Sequence, residues 1–393
     1  MLSIQEVFEN RFPGETEVLT AFCPYRVCPI GAHSDHQYGL VTGLAISEGI
    51  HIMYAPTEDG EMSLHSMNIF GDHCFNVKKI GVANKTWADY VKGAAMSLRR
   101  KHDVTRGVRA VVQGTMPIGG LSSSAALTIA FLSALCRVNS IKLTPQEIIE
   151  HALWTENAFI GVKCGKLDMS CEVLAKKNRL LYLDTKDDTY ELMPGSKKMK
   201  PYEIAVFFSG IERSLMSSSA FNTRVDEMKS AAFAMKTYAG LDCGTFAESR
   251  LRDVPREVFD AYKDRLPDNW RRRATHFYDE YDRVQAGAAA WRMGDIEEYG
   301  RLVFESGHSS IYNYETGSPE LIKLYEIMAD TEGIYGGRFS GAGFKGCCMA
   351  IIDPDYRESI IARVTEEYLK TFPKLKGKFS AHICNSADGC KFE

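Results

Sequence analysis

The stretch Pro117-Ile118-Gly119-Gly120-Leu121-Ser122-Ser123-Ser124-Ala125-Ala126 constrains this chain more than any other. Before it, Gly107 to Gln113 alternates in polarity as a strand does. After it, Ala125 to Cys136 is apolar nearly all round, as a buried helix is. A glycine-bearing turn therefore feeds a serine-rich helix start. A helix N-terminus presents unpaired N–H groups and a partial positive charge, and glycines let backbone approach an anion. Serine hydroxyls add ligands for phosphate oxygens or a hard metal ion. The local pattern leaves two readings open: a phosphate cradle, or a core helix capped by serine.

At 393 residues the chain is long enough for two or three domains with substantial cores. Its hydrophobic content of 45% and charged content of 25% are those of a soluble globular protein. A net charge of −4 gives no electrostatic case for nucleic acid or an anionic membrane as partner. The opening Met1 to Glu6 lacks the basic start and apolar core of a signal peptide, and no apolar run is long enough to span a bilayer. The eleven cysteines form no Cys-x-x-Cys pair, which argues against zinc and for reduced thiols in the cytoplasm.

In chain order, Ile4 to Arg11 reads as a helix stopped by Pro13-Gly14, and Val18 to Cys23 as a strand. That strand leads into the loop Pro24 to His36, which holds Arg26, His33, Asp35 and His36. Such a cluster can bind a polyhydroxylated ligand or be a hydrated turn. Strands are expected at Ile50 to Ala55, Met62 to Met67 and Cys74 to Val77, and a helix at Trp87 to Lys101. Thr144-Pro145-Gln146-Glu147 is a capping box with proline at the first helical position. The apolar stripe that follows, Ile149, Ala152, Leu153 and Ile160, includes Glu156 on the inward face. A carboxylate there needs a cation, either a metal ion or a buried Arg or Lys. Asp168 opens a short helix after the loop Gly161 to Lys166; as a residue type it suits a helix cap or a catalytic group. A hairpin follows at Leu180 to Met193, and Pro194 to Pro201 marks a boundary that divides the chain into units 1–198 and 199–393.

The second unit reads as a strand at Ile204 to Phe208, then helices at Asn222 to Tyr238, Thr275 to Met293, Ile296 to Ser306 and Pro319 to Thr331. Gly336 to Gly346 is a second glycine loop, followed by strand Cys347 to Ile352, helix Asp355 to Thr371 and strand Phe379 to Cys384. Gly341, Gly343 and Gly346 spell G-x-G-x-x-G, but a dinucleotide fingerprint needs a helix after it, and here a β-rich run follows. Gly165-Lys166 ends like a Walker A loop, yet Ile160 and Leu167 occupy the positions that need Gly and Ser or Thr.

Four stretches resemble, in order, the motifs of galactokinases within the GHMP kinases. Arg26-Val27-x-x-Ile30-Gly31-x-His33-x-Asp35 resembles the sugar-binding motif, and Pro117 to Ala126 the ATP loop. Cys164-Gly165-x-x-Asp168 resembles the catalytic-aspartate loop, and Arg338-x-Ser340-Gly341-x-Gly343-Phe344-x-Gly346-Cys347 the third glycine motif. The resemblance implies a two-domain α+β GHMP kinase fold. Its N-terminal domain would be of the ribosomal protein S5 domain 2-like type and bind ATP; its C-terminal domain would be ferredoxin-like. It implies transfer of the ATP γ-phosphoryl group to the anomeric hydroxyl of a small-molecule sugar, with magnesium as cofactor, in a monomer or dimer. By position, Asp168 is the catalytic aspartate and Arg26 the cation near the transferring phosphoryl. Ser124 and Glu156 match the magnesium ligands. Pro117, Gly119, Gly120, Leu121, Ser122, Ser123 and Ser124 match ATP contacts, and His33, Asp35 and the Gly165 backbone match sugar contacts.

The chain departs from the galactokinase pattern in informative places. Galactokinases carry a glutamate that contacts the sugar's 6-hydroxyl; here Ala32 stands in its place, and His36 replaces a usual tyrosine. The sugar-contacting tyrosine falls, with one inserted residue, at Phe221. Losing the glutamate removes a charge that would repel a carboxylate, by roughly 4 kcal/mol for two charges about 4 Å apart at an effective dielectric near 20. With these changes the motifs resemble the galacturonokinase group, which acts on a sugar acid. Lys166, Arg213 and Lys345 stand where galactokinases have uncharged residues or histidine, as candidate partners for the carboxylate. Galactokinase itself, and a non-catalytic sugar sensor on the same fold, are the alternatives.

Overall fold

Each half of the sequence contributes one β-sheet to the computed structural model, which describes residues 2–211 and 218–391. The first half forms α1 (Ile4–Arg11), β1 (Leu19–Val27), β2 (Leu40–Thr57), β3 (Glu61–Ser66), β4 (His73–Asn76), α2 (Ala88–Arg99), β5 (Gly107–Gly114) and α3 (Ser123–Val138). It continues with α4 (Pro145–Trp154), α5 (Leu167–Leu174), β6 (Arg179–Asp184) and β7 (Thr189–Pro194). The sheet runs β4-β3-β5-β2-β6-β7, with β1 also paired to β2.

Strand β2 joins the layers. Its start, Leu40 to Gly43, pairs β6; its far end, Ile50 to Thr57, pairs β5; and β1 lies along it from Val27↔Leu44 to Leu19↔Tyr54. The sequence suggested only Ile50 to Ala55, because glycines interrupt the earlier part. Those glycines are required by close neighbours. A Cβ at Gly49 would sit 2.2 Å from the Cys23 carbonyl oxygen, and one at Gly43 would sit 2.9 Å from the Cys171 sulfur. Helix α3 is buried along most of its length and fills the core behind this sheet.

The second half forms β8 (Glu203–Phe208), α6 (Ser218–Tyr238), α7 (Arg256–Tyr262), α8 (Asp268–Met293), α9 (Ile296–Tyr312), α10 (Pro319–Ala329), β9 (Ile334–Phe339), β10 (Cys347–Ile352), α11 (Arg357–Thr371) and β11 (Ser380–Cys384). Its sheet is antiparallel in the order β11-β8-β10-β9, the ferredoxin-like arrangement. Both faces of this sheet are covered, so β8 and β10 are continuous apolar runs whose alternate residues serve different cores. Ile204, Val206, Phe208, Cys347, Met349 and Ile351 join the core of the first half. Ala205, Phe207, Cys348, Ala350 and Ile352 pack with α10 and α11. A third core lies among α6, α7 and α8.

Two expectations are corrected by the fold. Gly336 to Phe339 is not loop but the end of β9. Helix α9 presses so closely that a Cβ at Gly336 would meet the Gly300 carbonyl oxygen at 2.4 Å, which explains glycine inside a strand. The α-helical stripe does not continue to Ile160 either. It widens after Trp154 into a π-helical turn, Thr155–Ile160. Glu156 still points inward, 5% exposed.

After β11 the chain crosses back to the first half. Ser386 bridges to Ile46, Ala387 N–H donates to Ala45, and Cys390 N–H donates to the Glu172 carbonyl at 2.7 Å.

Candidate active site

The serine loop is held open by glycine against the second glycine loop. Gly119 and Gly120 have φ of 125° and 88°. A Cβ on Gly120 would meet the Cys347 sulfur at 2.6 Å, and one on Gly346 would meet the Gly119 backbone at 2.7 Å. The two loops thus touch backbone to backbone, which joins the sequence halves at this point. Leu121 is buried beneath the turn, while Pro117 is exposed and Ser123 and Ser124 are half-buried.

Ser122 is the N-cap residue before α3 and lies in the left-handed region, at φ 62°. Its side chain does not cap the helix. The first N–H groups of α3 therefore keep their capacity to bind an anion. The Ser122 hydroxyl turns away instead and donates to Asp168 Oδ2 at 2.8 Å.

Asp168 sits in the first turn of α5 and accepts Arg26 Nε on its other oxygen at 2.8 Å. Arg26 is buried at the end of β1, and its Nη1 also donates to the Gly120 carbonyl at 3.0 Å. Burial works against the Arg26 charge, but the facing Asp168 carboxylate outweighs it and holds the guanidinium above its ordinary range. Sugar-motif arginine, serine loop and aspartate loop therefore form one hydrogen-bonded unit.

Asp35 lies beside the same group, close enough to feel the Asp168 and Arg26 charges. Its Oδ2 accepts the Leu167 N–H at 3.1 Å. A Cβ at Gly165 would meet that carboxylate at 2.4 Å, so the loop must have glycine there. Burial, reinforced by the Asp168 charge, pushes Asp35 up to about 6. His33 is buried with φ 63° and stacks on Tyr314 at 4.2 Å between centroids. Its Nε2 has no hydrogen-bond partner among the described residues. Burial, with His276 and Arg338 nearby, keeps His33 neutral. Phe221 lies edge-on to His36 at 5.7 Å and 6.4 Å from His33. Ala32 packs with Cys28, Val41 and Leu167, and its carbonyl accepts from His276 Nε2 at 3.0 Å.

Of the cations singled out in the sequence, Lys166 is corrected: both Asp188 oxygens hold its ammonium, at 2.5 and 2.6 Å. Lys345 is half-buried and makes no ion pair among the described residues. Arg213 lies outside the described residues. Glu156 is close enough to act on Glu172 and Cys164 electrostatically, which brings its carboxylate toward the Asp168 cluster.

Sequence reasoning missed the support behind the Pro24–His36 loop. Gly31 N–H donates to Glu280 at 2.6 Å, and Glu280 also takes Ser306 and Arg283. Arg338 bonds Ser306 and Ser310 beside it. Burial pushes Glu280 up, but Arg283, His276 and Arg338 together outweigh it and keep the carboxyl below its usual range. Arg338 belongs to the third glycine motif, but Glu280, Arg283, Ser306 and Ser310 come from α8 and α9, where no local motif announces them.

Residues 89–176 match the GHMP kinases N terminal domain, and residues 286–370 match the GHMP kinases C terminal domain. The galacturonokinase of Arabidopsis thaliana is 36% identical over 406 residues, covering 97% of this chain and 95% of that one. The galactokinase of Thermococcus kodakarensis is 32% identical, covering 90% and 95%. The crystal structure of Lactococcus lactis galactokinase complexed with galactose superposes with a TM-score of 0.89 at 27% identity, covering 99% of this chain and 98% of that one. The chain belongs to the GHMP kinase family, and these full-length relatives are sugar kinases.

Proposed function

We propose that this chain is a galacturonokinase, which transfers the γ-phosphoryl group of ATP to the anomeric hydroxyl of D-galacturonate. The products are α-D-galacturonate 1-phosphate and ADP. The observation that carries the reading is alanine at position 32, beside a His33–Asp35–Gly165–Asp168 set like that of the galactokinases. Without a carboxylate at residue 32, a negatively charged sixth carbon meets no repulsion from that position. The likeness to a plant galacturonokinase over nearly the full chain supports the same substrate.

In this reading Asp168 orients the anomeric hydroxyl. Its proton passes to the carboxylate as the O1–P bond forms and the bond from Pγ to the β,γ-bridging oxygen breaks. Two donors, Arg26 and Ser122, favour the ionised form of Asp168 that this needs. Arg26 offsets charge on the transferring group, and the start of α3 receives the phosphates. His33 Nε2, buried without a described partner, suits a sugar hydroxyl. Asp35, ionised, accepts hydroxyl hydrogens, and Phe221 closes the wall. Magnesium, a hard cation, would be held by the Ser124 hydroxyl and the buried Glu156 carboxylate and would supply charge neutralisation when bound. Every cysteine is an unpaired thiol, which supports a cytoplasmic setting.

The test is ADP release with galacturonate and galactose side by side. Turnover of galacturonate in preference to galactose is expected. A preference for galactose would make the enzyme a galactokinase. No ADP release with any sugar would favour a sensor.

A further inference from the structure

Ala32, on which the proposed substrate choice turns, is held through its backbone. Gly31 before it and His33 after it both have positive φ, 99° and 63°. For His33, which carries a side chain, that conformation is strained, and such strain persists only where the surroundings impose it. Helix α8 supplies two contacts that do so. Glu280 accepts the Gly31 N–H at 2.6 Å, and His276, one turn earlier on the same face, meets the Ala32 carbonyl through Nε2 at 3.0 Å.

His276 is 0% exposed and has one polar neighbour on each ring nitrogen. A carbonyl has no hydrogen to give, so Nε2 carries the proton and donates it. Burial pushes the ring down to about 4, with Glu280 and the Ala32 carbonyl only partly offsetting it, so near neutral pH the imidazole is uncharged and Nδ1 is bare. Nδ1 therefore accepts the Ser309 hydroxyl hydrogen at 2.9 Å, and the Ser309 oxygen accepts an Asn313 amide hydrogen at 3.1 Å. Asn313 to Ser309 to His276 to Ala32 is one chain of hydrogen bonds with a single direction, running from the end of α9 through α8 to the loop. Rings close around it: His276 lies 5.2 Å from Tyr314 and 6.1 Å from His33, centroid to centroid, and Tyr314 stacks on His33.

We propose that His276 is a positioning residue for sugar recognition: its Nε2–H, fixed by Ser309 on the other ring nitrogen, sets the peptide between Ala32 and His33 and so the place of both side chains. It acts through the backbone of the loop, ordering it before substrate arrives. The inference rests on residues 32 and 33 meeting the sugar, as in the proposed function.

The experiment compares full-length His276→Leu, His276→Gln and Ser309→Ala with the wild type for kcat and the KM values of galacturonate and ATP. Leucine leaves the Ala32 carbonyl buried without this donor, so the galacturonate KM is expected to rise about tenfold while the ATP KM stays within about twofold. Glutamine offers an amide N–H in place of Nε2–H and should hold the rise to about threefold or less. Ser309→Ala keeps the imidazole but releases its Nδ1 side, and a rise of about threefold is expected. This variant carries the test for a leucine chain that does not fold. Nitrogen NMR of histidine-labelled wild type, with His276→Gln identifying the signal, should show His276 as the neutral Nε2–H tautomer. A leucine or alanine variant with wild-type galacturonate KM, a parallel rise in both KM values, a glutamine variant no better than leucine, or an Nδ1–H tautomer in the wild type would overturn the proposal. Ala32→Glu with full galacturonate turnover would instead remove the reading of Ala32 on which it rests.

Discussion

Ala32 and Asp35 sit three residues apart in one loop and carry opposite lessons about charge. At position 32 the absence of a carboxylate matters, because the proposed substrate brings its own. Ala32→Glu should restore the repulsion of about 4 kcal/mol, a loss of about a thousandfold in kcat/KM for galacturonate. Ala32→Gln separates charge from bulk in this packed spot. It should retain at least about tenfold more galacturonate activity than the glutamate variant. Equal losses would mean that crowding, not charge, governs the position. At position 35 the proposed function needs a carboxylate, and burial with the Asp168 charge pushes it up to about 6. A group shifted upward is protonated below that value and ionised above it. As pH falls below about 6, Asp35 stops accepting hydroxyl hydrogens, and kcat/KM for the sugar should drop about tenfold per pH unit. Asp35→Asn should lower activity and flatten this acid limb; an unchanged limb would assign it to another group.

Elements show where sequence is legible and where it is not. Helix α1 and strand β10 have the limits read from local signals: the Pro13-Gly14 stop after α1, and an unbroken apolar run for β10. The start of β2 and the end of β9 were illegible, since each contains glycines that read locally as turns. Their reason is tertiary, a neighbouring backbone that leaves no room for Cβ. The same holds for the site. The glycine and serine loops are visible as motifs, because the chemistry needs several residues in a row. Tyr314 under His33, and Glu280 behind Gly31, are single residues brought in from distant elements. The contact between the two glycine loops can be tested directly. Gly120→Ala would place a methyl 2.6 Å from the Cys347 sulfur at φ 88°. It should raise the KM for ATP more than that for the sugar and lower the urea midpoint by the equivalent of about 1–3 kcal/mol. A variant with wild-type stability and ATP affinity would mean that this contact is soft.

Across the whole molecule, the halves are not independent. The C-terminal sheet gives one face to the N-terminal core, and the tail after β11 returns to α5, the helix that carries Asp168 and Glu172. The Pro24–His36 loop is braced from α8, α9 and β9, while the Pro117–Ala126 loop leans on the second glycine loop. On the proposed function, loops braced this way would hold both substrates against one rigid frame, which is what in-line phosphoryl transfer requires. Within that frame, the proposal assigns substrate choice to a few side chains, Ala32 first among them. The most direct measurement is competition. Equal concentrations of galacturonate and galactose share limiting MgATP, and the two sugar 1-phosphates are quantified by mass spectrometry, so that their ratio is the ratio of kcat/KM. Galacturonate 1-phosphate is predicted to dominate by more than about tenfold. Galactose 1-phosphate in excess would contradict the account.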